Sequence, residues 1–103
     1  MKTVEVTMVR IYITEGNGKM EQLLKQLHDV EKVRGATVYR AVTGFGQSGR
    51  MHSSTLLDMS LDLPLVLEFF DEPQRAATIQ EHLATVIKPG HMVSWPAWVN
   101  VAH

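Results

Sequence analysis

Alternating apolar and polar residues open the chain and predict a long β-strand. Residues 4–14 are rich in β-branched side chains, and the apolar positions are Val4, Val6, Met8, Val9, Ile11 and Ile13. The alternation changes phase once, between Met8 and Val9. This change indicates either a β-bulge or a strand that is covered on both faces.

A helical period follows the Gly-Asn-Gly break at residues 16–18, where Asn17 is suited to cap a helix. From Lys19 onward the apolar residues are spaced by three and four positions, which predicts an amphipathic helix. Gly35 is the expected C-terminal cap of this helix. Its predicted apolar stripe contains Met20, Leu23, Leu24, Leu27 and Val30.

The rest of the chain predicts three more strands and a second helix. Strands are expected over residues 36–43, 63–70 and 91–102, the last interrupted by Pro96. The second helix is expected to begin with Asp71 as its N-cap. Its predicted inward stripe contains Ala76, Ile79, Leu83, Val86 and Ile87. A glycine-rich and polar loop at about residues 44–60 is long for so small a domain, and such loops are usually functional or disordered.

The order β-α-β-β-α-β is typical of a ferredoxin-like α+β fold. We expect one domain over residues 1–103, with a four-stranded antiparallel sheet and both helices on one face. The other face would then be bare, and its apolar residues would need a partner subunit. Trp98, Val99 and Val101 fit that need, so a symmetric oligomer is predicted.

Charge and composition exclude several classes of function. Ten Lys and Arg residues against eleven Asp and Glu give a formal net charge of −1, which argues against nucleic-acid binding. The absence of cysteine excludes disulfides, thiolate metal sites and cysteine nucleophiles. No segment is apolar over about 18 residues, so the sequence predicts neither a membrane span nor a signal peptide, and a cytoplasmic domain is expected.

Charge is distributed unevenly along the chain. Residues 32–57 contain no Asp or Glu but carry four cations, including Arg50, and four of the seven glycines. Glycines let backbone N–H groups approach a ligand closely, so this window predicts an anion site, with phosphate the favoured anion. An ordinary turn with solvated cations is the alternative. Lys88 lies in a second acid-free stretch, residues 83–103, directly before Pro89-Gly90. It either caps the end of a helix or reaches a phosphate across a subunit boundary.

Metal and catalytic motifs are weak. His52 and His91 each adjoin a methionine, so they would form a soft copper site if they were brought together, but no pair has metal-ligand spacing. Surface or capping roles are the alternative for these histidines. No general base is convincingly positioned, so no catalytic residue is predicted; a small enzyme such as an acylphosphatase is the weakest of the alternatives.

Several motifs resemble a small bacterial and archaeal family grouped with the PII-like proteins. They lie at residues 35–40 (GATVYR), 43–46 (TGFG), Met51–Ser53, 61–64 (LDLP) and 70–71 (FD). The match runs in order over most of the chain. On these motifs the chain is identified as a member of the family catalogued as domain of unknown function number one hundred and ninety.

The resemblance implies a homotrimer that binds adenine nucleotides in clefts between subunits. It also implies that the loop at residues 44–60 engages a partner protein, a transporter or an enzyme. Gly44, Phe45 and Gly46 match the Gly-Phe-Gly at the base of the PII loop, and Gln47 corresponds to the glutamine there, one residue closer. The turn of Lys88, Pro89 and Gly90 occupies the place of PII's phosphate-binding turn.

This chain also departs from PII. Its turn keeps one lysine and one glycine, its C-terminus lacks arginines, and its long loop lacks a tyrosine for nucleotidylation. We therefore expect weak ATP binding, a preference for a smaller adenylate, or a different anion. The predicted function is a non-enzymatic regulatory protein with no required cofactor, whose nucleotide binds with or without Mg²⁺. A CutA-like metal-binding trimer is the alternative.

Overall fold

The computed structural model of the chain describes residues 1–14, 18–45, 51–53 and 64–102. Within these ranges the elements are, in chain order, β1 (Lys2–Thr14), α1 (Lys19–Lys25), a π-helical segment (Gln26–Glu31), β2 (Ala36–Arg40), β3 (Thr43–Phe45), β4 (Met51–Ser53), β5 (Pro64–Asp71), α2 (Pro73–Leu83) and β6 (Met92–Ala102).

Four long strands form one antiparallel sheet in the order β2-β5-β1-β6. Both helices contribute to a single core on one face of this sheet, through residues such as Leu23 and Leu27 from the first and Ile79 and Leu83 from the second. The order and the one-sided helices confirm the predicted ferredoxin-like α+β fold. Burying each of these large side chains stabilises the fold by about 1.5–3 kcal/mol.

The phase change in β1 does not produce a bulge. The pairing of β1 with β6 is regular from Thr3 to Ile11, and its one irregularity lies between Lys2 and Thr3. Even-numbered and odd-numbered apolar residues therefore face opposite sides of the sheet. Val9, Ile11 and Ile13 face the helices and are buried, whereas Met8 lies on the other face beside Phe70 and Trp95.

We call this second side of the sheet the open face, because no helix of the described structure packs on it. Arg10 lies near its centre. Its Nε donates a 2.6 Å hydrogen bond to Oε1 of Glu68, and its guanidinium carbon lies 5.0 Å from the centre of the Trp95 ring. The Tyr12 side chain and the Glu68 carboxylate both hydrogen-bond the guanidinium, and these contacts raise the pKa of Arg10 above its ordinary value.

Of the C-terminal residues predicted to lie on the bare face, Trp98 does not lie there, which corrects part of the sequence prediction. Val99 lies opposite Val4 on that face, but Trp98 lies opposite Glu5 on the helix side of the sheet. Trp98 is 64% exposed. Pro96 does not interrupt β6. This strand is at the sheet edge, where a missing backbone N–H is tolerated.

The first helix ends differently from the prediction. Its last turns are π-helical, and this wider turn shifts the buried stripe to Leu23, Leu27 and Glu31. Val30 was predicted to be buried but is 69% exposed. The left-handed cap is Lys32, with φ 56°, rather than Gly35. The Val33 N–H closes this end by bonding to the Leu27 carbonyl at 3.1 Å.

The second helix is close to its prediction. Its N-cap is Glu72 rather than Asp71, because Asp71 still pairs with Thr7 as the last residue of β5. The Asp71 Oδ1 accepts a hydrogen bond from the Glu72 N–H at 2.8 Å. Ala76, Ile79, Leu83 and Ile87 are buried as predicted, but Val86 is half exposed in the turn that follows the helix.

A second small sheet replaces part of the predicted loop. Strand β3 pairs with β4 so that Gly44 lies opposite His52 and Phe45 opposite Met51. The predicted strand at residues 36–43 therefore splits into β2 and β3. The remainder of the predicted 44–60 loop, residues 46–50 and 54–60, lies outside the described residues.

Candidate functional site

The turn after α2 has a defined backbone geometry. The His91 N–H donates to the Lys88 carbonyl at 3.1 Å, with Pro89 and Gly90 between them. Gly90 has φ 85°, which a type II turn requires at its third residue, and Pro at the second position suits the same turn. The sequence Lys-Pro-Gly-His therefore specifies this turn locally.

Hydrogen bonds attach this turn to the end of the first strand. The Tyr12 N–H donates to the His91 carbonyl at 2.9 Å. The His91 Nδ1 lies 3.2 Å from the Pro89 carbonyl oxygen, and because a carbonyl only accepts, Nδ1 carries the proton in this contact. In a neutral ring Nε2 is then the unprotonated nitrogen.

A cleft of about 130 Å³ lies between the turn and the start of the first helix, and we call it the Lys88 cleft. It contains two cationic side chains, Lys19 and Lys88, and none of its described lining residues is acidic. A site of this composition can attract a small anion. The described lining residues are Tyr12, Ile13, Thr14, Lys19, Ile87, Lys88 and His91.

Lys19 and Tyr12 were missed by sequence reasoning, because no local motif connects them with Lys88. The connection comes from strand order. Strands β1 and β6 are antiparallel neighbours, so the end of β1 and the start of β6 lie at the same end of the sheet. A prediction of the sheet order would have been sufficient to place the segment after β1 beside the turn at Lys88.

The glycine-rich segment starts at this same end of the sheet but at the opposite edge. Strand β2 ends at Arg40, and the Ala41 N–H bonds to the Pro64 carbonyl at 2.9 Å. Strands β5 and β1 lie between β2 and β6. Three strand spacings separate the two outer strands by roughly 14 Å, and Gly44 is not among the described residues that line the Lys88 cleft.

The other predicted ligand-binding residues have different outcomes. Gly44 and the backbone of Phe45 are in β3, and a Cβ added to Gly44 would meet no atom within 4 Å. Gly46, Gln47 and Arg50 lie outside the described residues. The structure therefore describes the lysine turn of the predicted site and only the first part of its glycine-rich segment.

The metal alternative has little geometric support in the described part of the chain. There, no group of three or more His, Asp or Glu side chains is placed to hold a metal ion. His52 is in β4 opposite Gly44, whereas His91 directly precedes β6.

Among the described residues, no helix is long and apolar enough to cross a membrane.

Comparison with known proteins gives the family. The model of the DUF190 family, described as "Uncharacterized ACR", matches residues 6–99. The chain belongs to the DUF190 family. A relative described as a UPF0166 protein from Aquifex aeolicus is 29% identical over 87 residues, which cover 81% of this chain and 83% of the relative.

Solved structures give this DUF190 chain a PII-like fold. One is CPII from Thiomonas intermedia K12 bound to ADP and bicarbonate, with a TM-score of 0.68, 20% identity and coverage of 99% of this chain and 93% of CPII. Another structure of CPII, a nitrogen regulatory PII-like protein, is bound to ADP, AMP and bicarbonate. Its TM-score is 0.69 at 18% identity, with coverage of 99% and 92%.

Proposed function

We propose that this DUF190 chain is a non-enzymatic regulatory protein that binds an adenine nucleotide in a cleft completed by a second copy of the chain. The observation that carries the proposal is the Lys88 cleft, which pairs two lysines at one end of a PII-like sheet. CPII, which has this fold, was solved with ADP, AMP and bicarbonate. The phosphates of a nucleotide are the expected partners of Lys19 and Lys88.

The sheet geometry supports a site shared between copies. The Lys88 turn and the start of the glycine-rich segment lie at one end of the sheet but at its two open edges, β6 and β2. If the β6 edge of one copy meets the β2 edge of the next, the contact is head-to-tail and can close into a ring. Lys88 of one copy then approaches residues 44–50 of its neighbour, and three copies form the trimer that the resemblance implies.

The open face supports the same assembly. Met8, Tyr39 and Trp95 lie on it, and large apolar patches on a soluble protein mark interaction surfaces. In a closed ring of three chains these faces would turn toward one another. Arg10 and Glu68 would then be enclosed as an already paired couple, which lowers the cost of removing their charges from water.

The segment at residues 44–60 is the proposed contact with a partner protein, a transporter or an enzyme. Its glycine at position 44 is not required by packing within the described chain. A glycine without a steric reason is available for close approach of a ligand or another chain to the backbone. Ligand bound at residues 44–50 would therefore change the segment that the partner contacts.

Isothermal titration calorimetry with ATP, ADP and AMP, with and without Mg²⁺, tests the proposal. We expect saturable binding of one nucleotide per chain, weaker for ATP than in PII because this chain has fewer cations in its phosphate turn. Lys88→Gln and Lys19→Gln should each lower the affinity about tenfold, since a charge-assisted hydrogen bond contributes about 1.5–3 kcal/mol. Lys2→Gln is the matched control, because Lys2 lies at the opposite end of β1.

Flat titrations for all three nucleotides would contradict the proposal. So would equal losses of affinity in the Lys88→Gln and Lys2→Gln variants, because a general charge effect would then explain both. Adding bicarbonate to the ADP complex tests whether this chain shares the second ligand found with CPII. Equilibrium dialysis with copper, zinc and nickel tests the metal alternative, which requires stoichiometric uptake.

A further inference from the structure

A second cleft lies on the helix side of the molecule and shares no described lining residue with the Lys88 cleft. Its volume is about 450 Å³, within the range of about 300–1,000 Å³ that is usual for small-molecule sites. We call it the Arg34 cleft. It is lined by Leu24, Lys25, Leu27, His28, Asp29, Val33, Arg34, Gly35 and Ala36.

Two unusual backbone features form one wall of the Arg34 cleft. The helix changes to a π-helix at Gln26–Glu31, a rare form that is frequent at functional sites. Lys32 then has φ 56°, which is costly for a residue with a side chain. This left-handed residue turns the chain so that Val33, Arg34 and Gly35 line the cleft together with Leu24 and Leu27 of the helix.

The floor and the charges of the Arg34 cleft point to the kind of ligand. Leu24 and Val33, which are partly buried against the core, give it apolar surface, whereas Leu27 is only 1% exposed. Lys25 and Arg34 provide two cations, and neither side chain has a hydrogen-bond or ion-pair partner within the described residues.

Nearby acidic groups are already engaged. The Glu31 carboxylate is buried and accepts hydrogen bonds from Gln26 Nε2 at 3.1 Å and from His82 Nδ1 at 3.0 Å. Asp29 Oδ1, which lies in the cleft lining, is 2.7 Å from His28 Nδ1. Asp29 keeps its charge in this contact and offsets one of the two cations in the lining, whereas Glu31 does not line the cleft. The net positive charge of about one that remains favours an anion of single charge.

We infer that the Arg34 cleft binds a monocarboxylate with an apolar body, such as an aliphatic or aromatic acid. The Arg34 guanidinium has a planar fork that matches a carboxylate, and the Lys25 ammonium adds a second charge-assisted contact. The apolar body of the ligand covers the exposed parts of Leu24 and Val33. This site is separate from the nucleotide site proposed above and stands on its own observations.

Titration of the ¹⁵N-labelled full chain with octanoate, followed by NMR, tests the inference. We expect saturable shifts of the backbone amides of Leu27, Val33 and Gly35. Octanamide, which has the same body without charge, and acetate, which has the charge without the body, should each bind at least tenfold more weakly. Lys25→Gln and Arg34→Gln should each lower the octanoate affinity at least fivefold.

Lys32→Gln is the matched control. It removes the same charge beside the cleft, but Lys32 does not line it, so its effect should stay below twofold. Equal weakening by Lys32→Gln and Arg34→Gln, equal binding of octanoate and octanamide, or the absence of saturable shifts would each overturn the inference. A ¹⁵N spectrum of Arg34→Gln that is unchanged away from the cleft establishes that the variant is folded.

Discussion

The Nδ1 of His82 lies 3.0 Å from Oε2 of Glu31, and this contact joins the second helix to the π-helical end of the first. Arg75 strengthens the connection, because one of its guanidinium nitrogens donates to the Glu31 carbonyl oxygen. Glu31 is only 9% exposed. The carboxylate thus replaces an apolar residue at the end of the buried stripe and holds the two helices together.

Replacing Glu31 with alanine should destabilise the protein. The substitution leaves the Gln26 amide and the His82 ring without their partner, and we expect a loss of about 1–3 kcal/mol in the free energy of unfolding. Urea denaturation followed by circular dichroism measures this loss. The control is Glu81→Ala, because Glu81 is an exposed glutamate in α2. This control should change the free energy of unfolding by no more than about 0.5 kcal/mol. If both substitutions changed it equally, the Glu31 contacts would contribute nothing.

Arg10 and Glu68 should be energetically coupled. The Glu68 side chain is 13% exposed and that of Arg10 is 38% exposed, so removal of the arginine leaves a largely buried carboxylate without its ion-pair partner. We expect Arg10→Met to lower the free energy of unfolding, because Glu68 loses its hydrogen-bonded partner. In the double variant Arg10→Met/Glu68→Leu, much of that loss should be recovered. Additive losses in a double-mutant cycle would contradict the coupling.

Replacing Lys32 with glycine should stabilise the fold. Lys32 has φ 56°, which strains a side-chain-bearing residue by about 1–2 kcal/mol, whereas glycine adopts it freely. After the entropy cost of glycine in the unfolded chain, a net gain of about 0.5–1 kcal/mol remains. The opposite control is Gln22→Gly inside α1, which should cost about 0.7 kcal/mol. Lys32→Gly should therefore raise the melting temperature, and Gln22→Gly should lower it. Thermal denaturation measures both changes.

An unpaired charge on the open face should disrupt the proposed trimer. Met8 lies between Phe70 and Trp95, so a lysine there would place an unpaired cation among apolar neighbours. Light scattering should give three times the chain mass of 11.6 kDa for the unmodified protein and a lower value for Met8→Lys. Thr78→Lys, on the exposed face of α2, should keep the full mass. An unchanged mass for Met8→Lys would exclude the open face as the subunit contact.

Sequence periodicity was enough to predict the order of the two helices and of the four strands in the main sheet, and most of the core. The alternation in β1 separates Val9, Ile11 and Ile13 from Val4 and Met8, and the structure places the two sets on opposite faces. The helical spacing identifies Ala76, Ile79 and Leu83 in the same way. These predictions succeed because the periods of strands and helices are local properties of the backbone.

By itself, the sequence determined the order of the main strands and helices, the family motifs and the Lys-Pro-Gly-His turn, since each depends on neighbouring residues. Only the tertiary structure decided the π-helical end of the first helix and the pairing of Lys19 with Lys88 in one cleft. Glu31 turns inward toward His82 on α2, and Lys19 and Lys88 line one cleft because β1 and β6 are neighbours. Both depend on contacts between residues far apart in the chain, which no local pattern encodes.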